Sequence, residues 1–236
     1  MIYRFKIKKM KPTDILGNIK LYNADCMEVM KTFKDKQFDL AIIDPPYGIS
    51  IDKQMSDNAG TQYGVAKAKK RKYKATNWDV SPPENEYFKE LFRVSKNQII
   101  WGANHFISRI PYDSPCWIVW DKHTNGYFAD CELAWASFSY PVRKFSFVWN
   151  GMLQGNMKNK EERIHPTQKP VQLYKWLLRN YAKDGDKILD THFGSLSIGI
   201  ACHDMKFDLT AIELDPDYYE MAKQRLINHQ RQLTLF

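Results

Sequence analysis

The chain of 236 residues has few cysteines, no long apolar run and no complete dinucleotide-binding glycine pattern. Its four cysteines are scattered and form no Cys-x-x-Cys pair, which argues against a metal site or a disulfide framework and favours a reducing compartment. No stretch is apolar for long enough to cross a membrane, and no signal peptide is recognisable. These absences predict a cytoplasmic protein without a metal ion.

Acidic residues are outnumbered, since 35 Lys and Arg face 27 Asp and Glu, giving a formal charge of +8. This excess indicates a polyanionic partner, with nucleic acid as the first candidate. Two basic stretches without hydrophobic periodicity, 51–80 and 143–164, are the expected contact regions, although a solvated loop would have a similar composition. The predicted nucleic-acid contacts are Lys67, Lys69, Lys70, Arg71, Lys72 and Lys74.

Strand–helix–strand patterns recur in the first and last parts of the chain, over 19–43 and 187–230. Two apolar runs between them, 116–122 and 131–138, are spaced for an antiparallel hairpin whose turn is at Asn125-Gly126. The pattern predicts one α/β domain over 1–236, with a mostly parallel twisted sheet and helices on both faces.

Three local predictions concern helix ends and the second basic stretch. Ser81 is expected to cap a helix whose first turn holds two prolines, and Thr167 to cap a helix over Val171–Tyr181. The stretch from Arg143 to Arg163 is expected to be irregular.

The apolar strand Phe38–Ile43 stops at Asp44-Pro45-Pro46-Tyr47. Proline donates no backbone N–H, so the chain leaves the sheet here, where open α/β sheets bind ligands. The turn offers the Asp44 carboxylate and the Pro45 carbonyl as acceptors, beside an aromatic ring. These groups suit a flat base with an exocyclic amine, whose lone pair becomes nucleophilic when both amine hydrogens are held.

A second candidate site is the loop from Gly194 to Gly199, which would read G-x-G-x-x-G if Leu196 were glycine. Leucine there argues against the pyrophosphate of NAD or FAD, whereas Glu213 can hold a ribose diol. A nucleoside without pyrophosphate fits, and S-adenosylmethionine is such a ligand, with Lys169 placed to meet its carboxylate. The acids expected around this ligand are Asp25, Asp44, Asp190 and Glu213.

Four segments resemble motifs of the amino-group DNA methyltransferases. Asp44-Pro45-Pro46-Tyr47 looks like their catalytic motif, 190–199 resembles their S-adenosylmethionine loop, 165–170 looks like the segment preceding it, and Asn23–Cys26 looks like the adenine-contacting segment. Their order is similar to the permuted β class. The resemblance implies catalytic Asp44, Pro45, Pro46 and Tyr47, and a cofactor set of Asp25, Cys26, Asp44, His165, Thr167, Lys169, Asp190, Thr191, His192, Phe193, Gly194, Ser195 and Glu213.

By this resemblance the chain is expected to have the Rossmann-like fold of S-adenosylmethionine-dependent methyltransferases and to act on double-stranded DNA. It would flip a base into the Asp44 turn and methylate adenine N6, since N4-cytosine enzymes more often carry Ser in place of Asp44. Two departures stand in the cofactor loop: Thr191-His192 replaces Pro-Phe, and Leu196 replaces Gly.

Several alternatives stay open from the sequence alone. The same motifs fit an N4-cytosine enzyme, or a catalytically weak DNA-binding module on the same fold. RNA and protein-glutamine methyltransferases use similar short motifs, and a nicotinamide oxidoreductase fits least because of Leu196. A cognate restriction endonuclease as partner is compatible with the motifs, as is either a monomer or a homodimer.

Overall fold

A computed structural model of the chain describes residues 10–50, 79–123, 129–150 and 153–232. Within these ranges none of the helices is both long and apolar enough to span a bilayer. The strands are β1 (Asp14–Leu16), β2 (Ile19–Asn23), β3 (Phe38–Ile43), β4 (Ser95–Trp101), β5 (Cys116–Asp121), β6 (Cys131–Ala136), β7 (Arg143–Ser146), β8 (Trp149–Asn150), β9 (Leu153–Gln154), β10 (Lys187–Asp190) and β11 (Asp208–Glu213). The helices are α1 (Cys26–Met30), α2 (Asn85–Val94), α3 (Val171–Tyr181), α4 (Ser197–Met205) and α5 (Pro216–Gln232).

Nine of these strands form one sheet in the order β1-β2-β11-β10-β3-β4-β6-β5-β7. The five consecutive strands from β2 to β4 are parallel, as expected from strand–helix–strand units. β6 is antiparallel to both β4 and β5, so the predicted hairpin is confirmed, while its turn at Asn125-Gly126 lies outside the described residues.

The sheet separates two apolar layers because successive strand residues point to opposite faces. In β3, Leu40 and Ile42 pack with α3, α4 and α5, whereas Ala41 and Ile43 pack with α1 and α2. The prediction of helices on both faces is therefore confirmed. Burial on both faces also explains why β3 reads as a continuous apolar run.

The helix predicted to open at Ser81 begins instead at Asn85, so that prediction is wrong. Glu84 has an extended backbone, and the residues before it do not continue the first turn. The carbonyls of Pro82 and Pro83 accept hydrogen bonds from the Arg109 guanidinium. These carbonyls are thus held by a distant side chain.

Helix α3 has the predicted bounds, but Thr167 does not cap it. The residue before the helix is Pro170, and the Thr167 hydroxyl lies 3.1 Å from His165 Nδ1. The first backbone N–H of the helix, at Val171, donates to Glu161 Oε1 at 2.9 Å. A carboxylate from a separate segment therefore satisfies a group that local capping was expected to satisfy.

The second basic stretch is more regular than expected. Arg143–Ser146 forms β7 at the edge of the large sheet, and β8 pairs with β9 in a small antiparallel ribbon. Exposed Arg143 and Lys144 on an edge strand also discourage pairing with another sheet. Of the other stretch, 51–80, only its last two residues are described.

Leu196 has a left-handed backbone, with φ +56°, at the start of α4. Glycine adopts this conformation without strain, whereas leucine does so at a cost of about 1–2 kcal/mol. The Leu196 side chain is 1% exposed and packs directly against Gly199, where an added Cβ would lie 2.6 Å from Leu196 Cγ. Burial of this side chain therefore offsets the backbone strain.

We expect Leu196→Gly to lower the free energy of unfolding by about 1–3 kcal/mol, because the lost burial exceeds the strain relieved. Lys206 at the other end of α4 provides the matched control, since it is exposed and has φ +62°. Lys206→Gly should leave stability unchanged or raise it by up to about 1 kcal/mol. Urea unfolding measures both. A stabilised Leu196→Gly protein would contradict this account.

Candidate active site

The Asp44 turn is fixed by groups that are distant in the chain. One oxygen of the Asp79 carboxylate accepts the backbone N–H groups of Tyr47 at 2.7 Å and Gly48 at 2.9 Å. Gly102, with φ +67°, lies so close to Tyr47 that an added Cβ would be 2.0 Å from ring atom Cε1. Sequence reasoning missed Asp79 and Gly102, since neither belongs to the motif they support.

Tyr47 holds the carboxylate at the end of β3. Its hydroxyl donates to Asp44 Oδ1 at 2.7 Å. Its ring stacks on exposed His105, with centroids 5.0 Å apart and planes at 15°. The ring predicted to stack on a base is thus covered on one face by a side chain that solvent can reach.

Lys169 provides the countercharge of Asp44. Its Nζ lies 2.6 Å from Asp44 Oδ2 and 2.9 Å from Glu132 Oε2, and its side chain is 3% exposed. Burial acts to lower the pKa of Lys169, but the two carboxylates outweigh it and raise the pKa above its ordinary value. The sequence predicts that this ammonium meets a cofactor carboxylate, and in the structure it lines the neighbouring cavity while lying between two carboxylates of the protein.

Beside this ion pair lies a cavity of about 650 Å³ at the carboxyl ends of the parallel strands. The residues predicted for a cofactor line it, with the exception of Asp190. Those lining it are Asp25, Cys26, Asp44, His165, Thr167, Lys169, Thr191, His192, Phe193, Gly194, Ser195 and Glu213. Pro46 of the predicted catalytic turn also lines it, and further lining residues that sequence reasoning missed include Tyr174, Leu214, Pro216 and Tyr218.

Glu213 and Asp25 are two of the acidic residues in the cavity wall. Glu213 accepts the backbone N–H of Gly194 through Oε2 and that of Asp215 through Oε1, both at 2.9 Å. Asp25 caps α1 by accepting the Met27 N–H at 2.7 Å. Because a carboxylate oxygen has two lone pairs, both side chains retain acceptor capacity for hydroxyl or amine groups.

The departure Thr191-His192 forms a second part of the wall through its own hydrogen bonds. The Thr191 hydroxyl lies 2.6 Å from the Tyr87 hydroxyl and 3.0 Å from His192 Nδ1. His192 Nε2 lies 3.9 Å from Cys26 Sγ. Burial lowers the pKa of His192 to about 4 and raises that of Cys26 to about 12, so both are neutral at pH 7.

His165 contributes another neutral ring, since burial lowers its pKa to about 3. It packs edge-on against Tyr218, with centroids 4.4 Å apart. Leu196 is absent from the lining of the cavity, so its side chain does not obstruct it. Flat neutral rings and carboxylates together fit a nucleoside that carries positive charge.

A family comparison connects this geometry to a class of enzyme. The model of a DNA methylase family comprising N6 and N4 enzymes matches residues 68–224, about two thirds of the chain. The chain belongs to this DNA methylase family. The match includes Glu132, Lys169 and the cofactor loop, and it begins after the Asp44 turn.

Among curated proteins, the methylase is similar to the Type II methyltransferase M.HpaI of Haemophilus parainfluenzae, with 25% identity over 88% of this chain and 74% of that protein. It is also similar to the putative methylase YubD of Escherichia coli K12, with 26% identity over 88% of this chain and 90% of that protein. The first of these relatives is named a Type II methyltransferase and the second a putative methylase.

Solved structures of DNA methyltransferases share the fold. The crystal structure of the M1.HpyAVI–SAM complex has a TM-score of 0.54 and 22% identity, covering 88% of this chain and 99% of that one. The cytosine-N4-specific PvuII DNA methyltransferase has a TM-score of 0.58 and 12% identity, covering 94% of each chain. The expected Rossmann-like methyltransferase fold is confirmed.

Asp190 lies at the end of β10, 2% exposed, and accepts the His192 N–H at 3.0 Å. Burial raises its pKa to about 8, against an ordinary value of 3.8. Between these values the folded methylase binds a proton that the unfolded chain has lost, so this group makes stability fall as pH rises.

Asp190→Asn cannot ionise and should remove that contribution. We expect the free energy of unfolding of Asp190→Asn minus that of the wild type to be larger at about pH 8 than at about pH 5. Urea unfolding at both pH values measures the difference, with Asp208→Asn on the exposed surface as control. An equal pH dependence in wild type and Asp190→Asn would contradict an Asp190 that stays protonated.

Proposed function

We propose that this methylase transfers a methyl group from S-adenosylmethionine to N6 of adenine in double-stranded DNA, at a specific sequence. The observation that carries the proposal is that the Asp44 turn forms part of the cavity wall. Asp44 and Pro46 belong to the predicted amine-binding turn and also line the cavity suited to a charged nucleoside. The amine acceptor and the methyl donor would therefore meet at one point.

On the cofactor side, S-adenosylmethionine supplies an electrophilic methyl group when bound. Glu213 would hold the ribose hydroxyls and Asp25 the adenine, each through acceptor capacity left by its backbone hydrogen bonds. The neutral His192 ring would lie along the nucleoside. Carboxylates around the cavity favour a cationic ligand over a phosphate.

On the substrate side, the Asp44 carboxylate and the Pro45 carbonyl would each accept one hydrogen of the target amine. This draws the nitrogen lone pair out of conjugation with the base, and Asp44 stabilises the positive charge that develops on nitrogen. Asp44 Oδ1 currently accepts from Tyr47, so the amine would share or take over that oxygen. As the nitrogen–methyl bond formed, the bond between the methyl carbon and the sulfonium sulfur would break, S-adenosylhomocysteine would be the leaving group, and one amine hydrogen would be lost as a proton through Asp44 to solvent. Holding the reactants in this geometry would provide the rate without a covalent enzyme intermediate.

Adenine is proposed over cytosine because Asp stands at position 44, where N4 enzymes more often have Ser. The fold does not discriminate, since a cytosine-N4-specific enzyme has the same fold. Incubation of DNA with labelled S-adenosylmethionine, followed by nucleoside analysis, should yield N6-methyladenine. Detection of N4-methylcytosine as the product would contradict the proposed adenine specificity. Sequencing of the DNA for modified bases would identify the recognition site.

The two basic stretches are proposed to bind the DNA backbone. In the second stretch, Arg143, Lys144, Lys158 and Lys160 are exposed. The lysine-rich run over 67–74 lies outside the described residues. Both stretches would act as insertions in a single methyltransferase domain over 1–236, with phosphate contacts that set affinity.

Asp44→Ala should reduce methyl transfer to DNA by at least about 100-fold, because the amine loses its charged acceptor. Binding of S-adenosylmethionine, measured by titration calorimetry, should fall much less than turnover, because Asp44 is one of several carboxylates that line the cavity. The matched control is Asp39→Ala. Asp39 lies near the start of β3, at the opposite end from Asp44, and its carboxylate is paired with Lys96 at 2.6 Å. Undiminished turnover in Asp44→Ala would refute the assigned role.

Replacing Lys69, Lys70, Arg71 and Lys72 by Ala should weaken DNA binding and flatten its salt dependence. Each lost phosphate contact reduces the slope of log K against log salt by about 0.9. Fluorescence anisotropy over a salt series measures the slope. As control, Lys20, Lys183, Lys187 and Lys206 are exposed residues away from the carboxyl ends of the parallel strands. An unchanged slope would show that these four residues do not contact DNA phosphates.

A further inference from the structure

Glu132 and Lys122 reach the active site from the antiparallel hairpin. Glu132 is near the start of β6, and Lys122 directly follows β5. β6 is antiparallel to both β5 and β4, and β4 is parallel to β3. The end of β5 and the start of β6 therefore lie at the carboxyl ends of the parallel strands, where Asp44 lies. Neither residue belongs to a motif quoted above.

The Lys169 ammonium has three oxygen neighbours. It donates hydrogen bonds to Asp44 Oδ2 at 2.6 Å and to the Tyr47 hydroxyl at 3.3 Å, and it forms an ion pair with Glu132 Oε2 at 2.9 Å. It also lies over the ring of Trp101, 5.5 Å from the centroid. Glu132 thus supplies one of the partners that a buried ammonium requires.

Glu132 has a second cation of its own. Lys122 Nζ lies 2.5 Å from Glu132 Oε1, so two carboxylates and two ammonium groups alternate from Asp44 to Lys122. Burial acts to raise the pKa of Glu132, but the two lysines outweigh it and bring the pKa to about 2. Glu132 is therefore charged at neutral pH.

We propose that Glu132 is a positioning residue for methyl transfer: it holds the Lys169 ammonium on the Oδ2 side of Asp44, so that Oδ1, which accepts the Tyr47 hydroxyl, can also accept the target amine. The proposal rests on the function proposed above. A lysine with Asp44 as its sole carboxylate partner would neutralise it more completely and would compete with the amine. Sharing the ammonium with Glu132 weakens that competition while keeping Lys169 in place.

The pH behaviour of Asp44 follows from the groups around it. Burial raises its pKa, as does the Glu132 carboxylate, whereas Lys169 and the Tyr47 hydroxyl lower it. Asp190 on β10 and Tyr174 on α3 also interact electrostatically with Asp44. Removal of the Glu132 charge should therefore move the Asp44 pKa downward.

The test is Glu132→Gln, which keeps the shape and removes the charge. We expect kcat to fall about 10- to 100-fold, with KM for DNA little changed. The acid limb of the plot of kcat against pH should move to lower pH by about half a unit or more. S-adenosylmethionine affinity should be unchanged, because Glu132 does not line the cofactor cavity. Glu132→Asp should restore part of kcat.

Glu90→Gln is the matched control. Glu90 is paired with Arg93, and its side chain is 24% exposed against 23% for Glu132. It should change neither kcat nor the pH profile. If Glu132→Gln fails to fold, Lys122→Met/Glu132→Gln removes the charge pair together and should show the same loss and limb shift.

The outcomes separate the two proposals. An active wild type with unchanged kcat and acid limb in Glu132→Gln, or in the double variant, would overturn the positioning role and leave the function standing. Equal losses of kcat and cofactor affinity, without a limb shift, would assign Glu132 a merely structural role. A wild type that transfers no methyl group to DNA would refute the proposed function itself.

Discussion

The arrangement of the candidate active site depends on one interaction, the buried ion pairs that the Lys169 ammonium forms with Asp44 and Glu132. A buried charge is tolerated only when partners surround it, and removal of one partner from such a pair costs about 3–5 kcal/mol. The three charged side chains come from different parts of the chain: the end of β3, the start of β6 and the segment before α3. Their mutual neutralisation therefore ties those elements to one position.

The sheet topology explains how these groups meet. Parallel strands deliver Asp25, Glu213, Asp190 and Asp44 to one edge, because each acid follows or ends a strand of the same direction. The antiparallel β6 then brings Glu132 to that edge through its beginning. The cavity and the Asp44 turn are adjacent because β10 and β3 are neighbours in the sheet.

The departures from the family motifs have physical explanations that the motifs could not give. Leu196 accepts a left-handed backbone because its side chain is buried against Gly199 and lies away from the cavity. Thr191-His192 replaces Pro-Phe with a hydrogen-bonded pair anchored by Tyr87, and burial keeps the imidazole neutral. A neutral ring of this kind preserves a flat wall for a nucleoside.

The sequence by itself determined the strands β2, β3, β10 and β11, helix α3, the Asp44 turn and twelve of the residues that line the cavity. These are local features, since apolar runs, prolines and glycine turns act within a few residues. Only the tertiary structure decided that Glu161 caps α3, that Asp79 and Gly102 hold Tyr47, and that Lys169 faces Asp44. Those contacts join segments far apart in the chain, and a charged side chain can choose among many partners until packing brings one within reach.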